Sequence, residues 1–129
     1  MNKNEAKNLN PNILAYIGDG VYEVMIRKYV VSKGTPHIDA IHKETVKYVK
    51  GQSQAKALRG IMDILNEEET TVAKRARNKR TLSKPQNIDP VSYKLATAFE
   101  ALIGYLYTTE QEERMKELVK ESIAIIEQA

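Results

Sequence analysis

Residues 14–26 read LAYIGDGVYEVMI, an apolar run interrupted by Gly18-Asp19-Gly20 and by Glu23. Read as a helix, it carries two glycines that each cost roughly 1 kcal/mol relative to alanine. Gly18 and Gly20 then need a reason, such as close approach of another backbone or of a substrate. Leu14, Ile17, Val21, Val24 and Met25 fall on one side of the wheel, with Tyr16, Tyr22 and Ile26 elsewhere, so the helix has no solvated face. It is buried or paired with a second subunit, and Asp19 is a placed charge. A competing reading makes Gly-Asp-Gly a turn between two strands, NILAYI and VYEVMI, because short apolar runs do not separate helix from strand by periodicity. The flanks favour the helix: Asn10 is a good N-cap, Pro11 suits the first helical position, and Arg27 and Lys28 precede Gly34.

Working outward, the 129 residues, 42% of them hydrophobic, suffice for one core and leave no room for a second domain, so a single domain over 1–129 is expected. The absence of cysteine excludes disulfides and thiolate metal sites. No signal peptide or membrane span is visible, and a soluble cytoplasmic protein without a membrane partner is expected. Net charge is only +3, yet residues 74–84 (KRARNKRTLSK) hold six basic residues and no acid. Basicity so concentrated suggests a patch for an anionic partner.

Helical patterning continues down the chain. Thr35-Pro36 reads as an N-cap and first-turn proline for a second helix bearing Ile38, Ile41, Thr45, Val46 and Val49. After Gly51 the pattern resumes with Ala55, Leu58, Ile61, Met62 and Leu65. Asn66 and Glu67 to Glu69 open a segment that closes in Lys74, Arg75 and Arg77, acid first and base last as the helix dipole prefers. Residues 79–88 read as a loop. Asp89-Pro90 then caps a helix with Val91, Leu95, Ala98, Leu102 and Leu106 on one face and Glu100 opposite, among Tyr93, Ala96, Gly104 and Tyr107. Thr109 and Glu112 read as a capping box for a last helix with Met115, Leu118, Val119, Ser122, Ile125 and Ile126 inward. Strand signals are weak throughout, so the fold class is all-α.

Two largely apolar helices far apart in sequence thus each carry one conspicuous carboxylate, Asp19 and Glu100. Convergent carboxylates suit a hard cation such as Mg²⁺; the alternative is a pair of unrelated solvated or ion-paired acids. The basic run is likewise either a solvated helix end or a nucleic-acid surface. His37 and His42 have no partner at zinc spacing and read as structural or surface residues. The seven tyrosines read as core and interface packing. Glu23 could join Asp19 or form a salt bridge.

AYIGDGVYEVMIRKYV resembles the signature helix of the ribonuclease III catalytic domain, and ATAFEALIGYLY resembles that domain's second catalytic helix. SQAKAL at 53–58, EEETTVAKRARN at 67–78 and KPQN at 84–87 support the likeness, which spans essentially the whole chain. It is specifically similar to the Mini-ribonuclease III branch, which lacks a double-stranded RNA-binding domain. The resemblance implies an all-α endonuclease domain that forms a homodimer through the helix around Leu14 to Ile26. Asp19 and Glu100 match the metal-binding catalytic acids, with Mg²⁺ as cofactor and Mn²⁺ able to substitute. Two further acids of the larger enzymes are replaced, by Ala15 and Thr97, as is typical of the Mini branch; Gly20 stands for the usual alanine, and Ala76 for a usual glycine.

The implied reaction is hydrolysis of double-stranded RNA to 5′-phosphate and 3′-hydroxyl ends, with precursor 23S ribosomal RNA as substrate. Lys74, Arg75, Arg77, Asn78, Lys79, Arg80 and Lys84 would contact the duplex. Rival readings are a catalytically silent helical dimer that binds structured RNA, and a DNA-binding helical regulator.

Overall fold

The computed structural model describes residues 1–79 and 87–128. All regular structure among them is helical: α1 (Lys3–Lys7), α2 (Pro11–Ser32), α3 (Ile38–Val49), α4 (Gly51–Ile61), a 3₁₀ turn (Met62–Ile64), α5 (Glu67–Arg77), α6 (Pro90–Thr108) and α7 (Glu112–Glu127). Gly18-Asp19-Gly20 lies inside α2, so the strand-turn-strand alternative does not hold. The Asn10 side chain accepts from the Asn12 N–H and Pro11 occupies the first turn. Gly34, at φ +86°, ends the helix in a conformation other residues rarely adopt.

Other caps follow the sequence signals in part. Asn66 and Glu69 form a reciprocal capping box, and the Asp89 side chain accepts from the Ser92 N–H at 2.9 Å. The second helix, however, begins two residues beyond Thr35-Pro36, with His37 at its N-cap and no side-chain cap bond. The Thr109–Glu112 box is also not formed. Thr109 Oγ1 instead donates to the Tyr105 carbonyl, Glu110 takes φ 59°, and α7 starts from Gln111. Helix α1 was hidden in the polar amino terminus, although Asn2 and Glu5 spell a capping box there too.

Helix α6 is the central element. Ala98, Phe99, Ala101, Leu102, Ile103, Tyr105 and Leu106 are all at 0% exposure, because α2, α4, α5 and α7 surround it. A helix apolar on nearly every side is stable only when covered in this way. From α2 the core takes Leu14, Tyr22, Ile26 and Val30; from α4 Ala57, Leu58 and Ile61; from α7 Met115, Leu118 and Val119. Tyr22 meets Phe99 edge to face at 4.9 Å and donates its hydroxyl to the Tyr48 carbonyl at 3.0 Å, tying α3 to the same core. Two polar clamps close the periphery. Arg114 grips the 1%-exposed Glu69 carboxylate with bonds of 2.9 and 2.8 Å, and Glu127 accepts from Tyr29 and Tyr48 at 2.6 and 2.7 Å.

Candidate active site

Helices α2 and α6 cross through two glycines. A Cβ on Gly18 would lie 1.7 Å from the Glu100 carbonyl oxygen, and one on Gly104 would lie 1.9 Å from the Leu14 carbonyl oxygen. Only glycine permits backbones to meet so closely. Gly20, by contrast, has nothing within 4 Å of a built Cβ. Asp19 directly follows the crossing on one helix and Glu100 sits at it on the other, so the two carboxyls meet. Burial pushes the Glu100 carboxyl up to about 9, helped by the hydrogen bond its protonated form makes to Asp19 and by the Asp19 charge; a hydrogen bond from Gln54 opposes the shift. Buried and set beside Asp19, the Glu100 carboxyl thus favours its protonated form.

The pair stands between two hollows. Asp19 borders a groove of about 770 Å³ walled by Tyr16, Val24 and Met25 of α2, Tyr107 of α6 and Met115 of α7. Glu100 borders a more polar cavity of about 450 Å³ shared with Lys50, Gln54, Tyr93 and Thr97. The two positions without an acid are spoken for: Ala15 is packed at 7% exposure, and Thr97 Oγ1 donates to the Tyr93 carbonyl at 3.0 Å. Among the described residues no group of three or more acids or histidines could hold a metal, and the acids brought together at the crossing are Asp19 and Glu100. That set fits a hard cation, whose charge would relieve their repulsion and whose remaining positions are taken readily by water and phosphate oxygen. Glu23 is drawn away from it by Arg27 at 2.8 Å, and both histidines are exposed.

The basic residues are divided. Lys74 and Arg77 of α5 join Arg59 of α4 around a hollow of about 300 Å³ floored by Leu58, Met62, Ala73 and Leu95. Arg75 is turned elsewhere, donating to the Lys7 carbonyl and, at 3.1 Å, to the Leu9 carbonyl. Asn78 is the C-cap of α5 and accepts from Arg77 Nε at 3.2 Å, while the Lys79 N–H donates to the Ala76 carbonyl. Arg80, Lys84 and most of the 79–88 loop lie outside the described residues. Sequence reading passed over Arg59 and Gln54. Arg59 is one exposed cation in an amphipathic helix, and Gln54 carries no signal except its place in SQAKAL.

A helical domain in which glycine-mediated crossing joins two lone carboxylates defines a class, and the chain's likenesses agree with it. Residues 12–111 match the Ribonuclease III domain model. The chain belongs to the ribonuclease III family, which places it among the endoribonucleases. Within the family it is 40% identical to the Mini-ribonuclease 3 of Thermoanaerobacter sp. (strain X514), over 99% of this chain and 90% of that one. It is 41% identical to the Mini-ribonuclease 3 of Clostridium tetani, over 98% and 85%. The crystal structure of a Fusobacterium nucleatum protein superposes with a TM-score of 0.82 at 32% identity, covering 91% of this chain and 93% of that one.

Proposed function

We propose that the protein hydrolyses double-stranded RNA with Mg²⁺ held by Asp19 and Glu100, Mn²⁺ being able to substitute, and leaves 5′-phosphate and 3′-hydroxyl ends. The observation that carries this reading is the juxtaposition of those two carboxyls at the α2–α6 crossing, whose mutual repulsion a bound cation would relieve. Bound there, the ion would supply charge stabilisation for the attacking water and for the leaving 3′ oxygen. Asp19 and Glu100 would bind it, Glu100 losing its proton as it does so. The glycine crossing fixes the separation of the two acids, because neither helix can move without breaking backbone packing.

Lys74 and Arg77 would bind phosphates of an A-form duplex, which is recognised by shape more than by sequence; the family resemblance assigns the same role to Arg80 and Lys84. A groove walled by Tyr16, at 83% exposure, with Val24 at 58% and Tyr107 at 53%, is an apolar surface of the kind a second subunit covers. A homodimer through this face of α2 would present two sites, one for each strand. Precursor 23S ribosomal RNA as the substrate, and a cytoplasmic setting, rest on family resemblance; no helix among the described residues is long and apolar enough to cross a membrane.

The test is cleavage of a long RNA duplex in Mg²⁺ at low salt by the native protein, Asp19→Asn and Glu100→Gln. Loss of cutting in both folded variants with duplex binding retained supports the reading. A native protein that binds duplex and leaves it intact would instead be a silent RNA-binding dimer.

A further inference from the structure

We propose that Gln54 is a positioning residue for Glu100, its buried amide holding the carboxyl in the orientation that faces Asp19. The inference rests on the reading of Glu100 as a metal ligand. Gln54 lies on α4, 2% exposed, and lines the same cavity as Glu100 and Thr97, which brings its amide within reach of the carboxyl. Its neighbours Ala55, Ala57 and Leu58 are at 0–1% exposure and seat α4 in the core, so the amide is delivered by a rigid element.

A buried amide is costly unless its hydrogen bonds are made. An apolar residue of the same length would therefore be the expected occupant of this position if packing were the only demand. The chemistry of the amide suits a different demand. A third carboxylate here would add to the repulsion between Asp19 and Glu100. A lysine would ion-pair with Glu100 and compete with a cation for it. A neutral donor restrains the carboxylate and leaves its charge available. Helix α6 offers no such restraint from Thr97, whose hydroxyl is spent on the Tyr93 carbonyl. Gln54 thus gives the SQAKAL segment a function that its sequence alone does not reveal.

The test is Gln54→Met, which keeps the side chain's length and approximate volume while removing the amide, with Gln54→Leu as a second apolar variant. Mn²⁺ affinity is measured by calorimetric titration without RNA, alongside the melting temperature, duplex affinity without metal, kcat and KM. Partners that orient metal ligands typically change affinity or activity about 10–100-fold when removed. The expected result is Mn²⁺ affinity weakened by about tenfold or more, kcat reduced with it, and KM and duplex affinity unchanged in a folded variant. Mn²⁺ affinity and kcat within twofold of native would overturn the proposal, as would a rise in KM alone, which would mark a direct contact with RNA. A native protein that binds no metal removes both this inference and the metal reading of the acid pair. One that binds Mn²⁺ but cuts no duplex removes the nuclease reading only, and the Mn²⁺ comparison still decides the role of Gln54.

Discussion

Gly18 packs against the main chain of Glu100, so closely that an added Cβ would stand 1.7 Å from the Glu100 carbonyl oxygen. The residue preceding one acid therefore sets the position of the other. Because the obstacle is backbone, it cannot rotate away, and Gly18→Ala must push α2 and α6 apart. The expected loss is at or above the roughly 1–3 kcal/mol usual for overpacking, read by urea denaturation, with loss of duplex cleavage even where the fold survives. Native-like stability in Gly18→Ala would show that the crossing can relax.

Gly20 behaves oppositely. It lies in the same helix with open space where a Cβ would go, and glycine in a helix costs roughly 1 kcal/mol relative to alanine. Gly20→Ala should raise the stability of the protein by up to about that amount in a thermal or urea melt. A decrease would mean that another chain approaches α2 closely at this point.

These two glycines show what could be read from the sequence and what could not. Their helical cost was visible in the LAYIGDGVYEVMI pattern, and so was the need for a close approach, but the partner of Gly18 lies 82 residues away. Asp19 and Glu100 stood out because each is a lone acid in an apolar helix, and Asn66 with Glu69 or Asp89 with Pro90 announce their helices through local chemistry. The Glu69–Arg114 clamp, the burial of Gln54 and the diversion of Arg75 to the carbonyls of Lys7 and Leu9 have no local signature. Each is a long-range contact between residue types that are ordinarily solvated. Even local signals mislead where tertiary geometry decides: Thr109 has the right spacing for a capping box, but its hydroxyl turns back to Tyr105.

The acid pair makes a prediction about pH. The Glu100 carboxyl is raised to about 9, first by burial and then by its hydrogen bond to Asp19 and the Asp19 charge, from an ordinary value of 4.5. Between these limits the folded protein binds a proton at Glu100 that the unfolded chain has released, so its contribution to stability is complete below about 4.5 and is lost as pH rises towards 9. Metal-free protein should therefore show a Glu100-dependent fall in melting temperature from pH 5 to 9. Glu100→Gln should flatten that fall, and Mg²⁺ should raise the native melting temperature most at the alkaline end. An equal pH slope in native protein and Glu100→Gln would contradict the shared proton.

Glu69 gives the reverse sign. Burial alone would push its carboxyl up, yet the hydrogen bond from Arg114 and the backbone bond at Asn66 hold it below the usual range. Its contribution is thus present above the unfolded value and disappears as pH falls through the folded one. Arg114→Met removes the guanidinium and leaves a carboxylate at 1% exposure facing no cation. Breaking a buried pair in this way costs about 3–5 kcal/mol. The loss should appear in urea melts at neutral pH and shrink in acid, where Glu69 can take up a proton.

The basic residues separate into those that border an open hollow, proposed to contact RNA, and one that holds the fold. Each phosphate neutralised by a side chain steepens the salt dependence of binding, so removing such a side chain should reduce the slope of log affinity against log salt by about one unit or somewhat less. Lys74→Ala and Arg77→Ala should do this while leaving the melting temperature near native, because their side chains border an open hollow. Arg59→Ala should join them, since its guanidinium lines the same hollow. Arg75→Ala should act differently: its bonds to the Lys7 and Leu9 carbonyls secure α1 and the start of α2, so stability should fall while the salt slope stays close to native. Affinity titrations of the four variants on one RNA duplex at three salt concentrations, each paired with a thermal melt, would distinguish the two behaviours. A native melting temperature with a reduced slope for Arg75→Ala would return that residue to the RNA surface, and would mean its bonds to the amino-terminal turn are exchanged for phosphate when duplex binds.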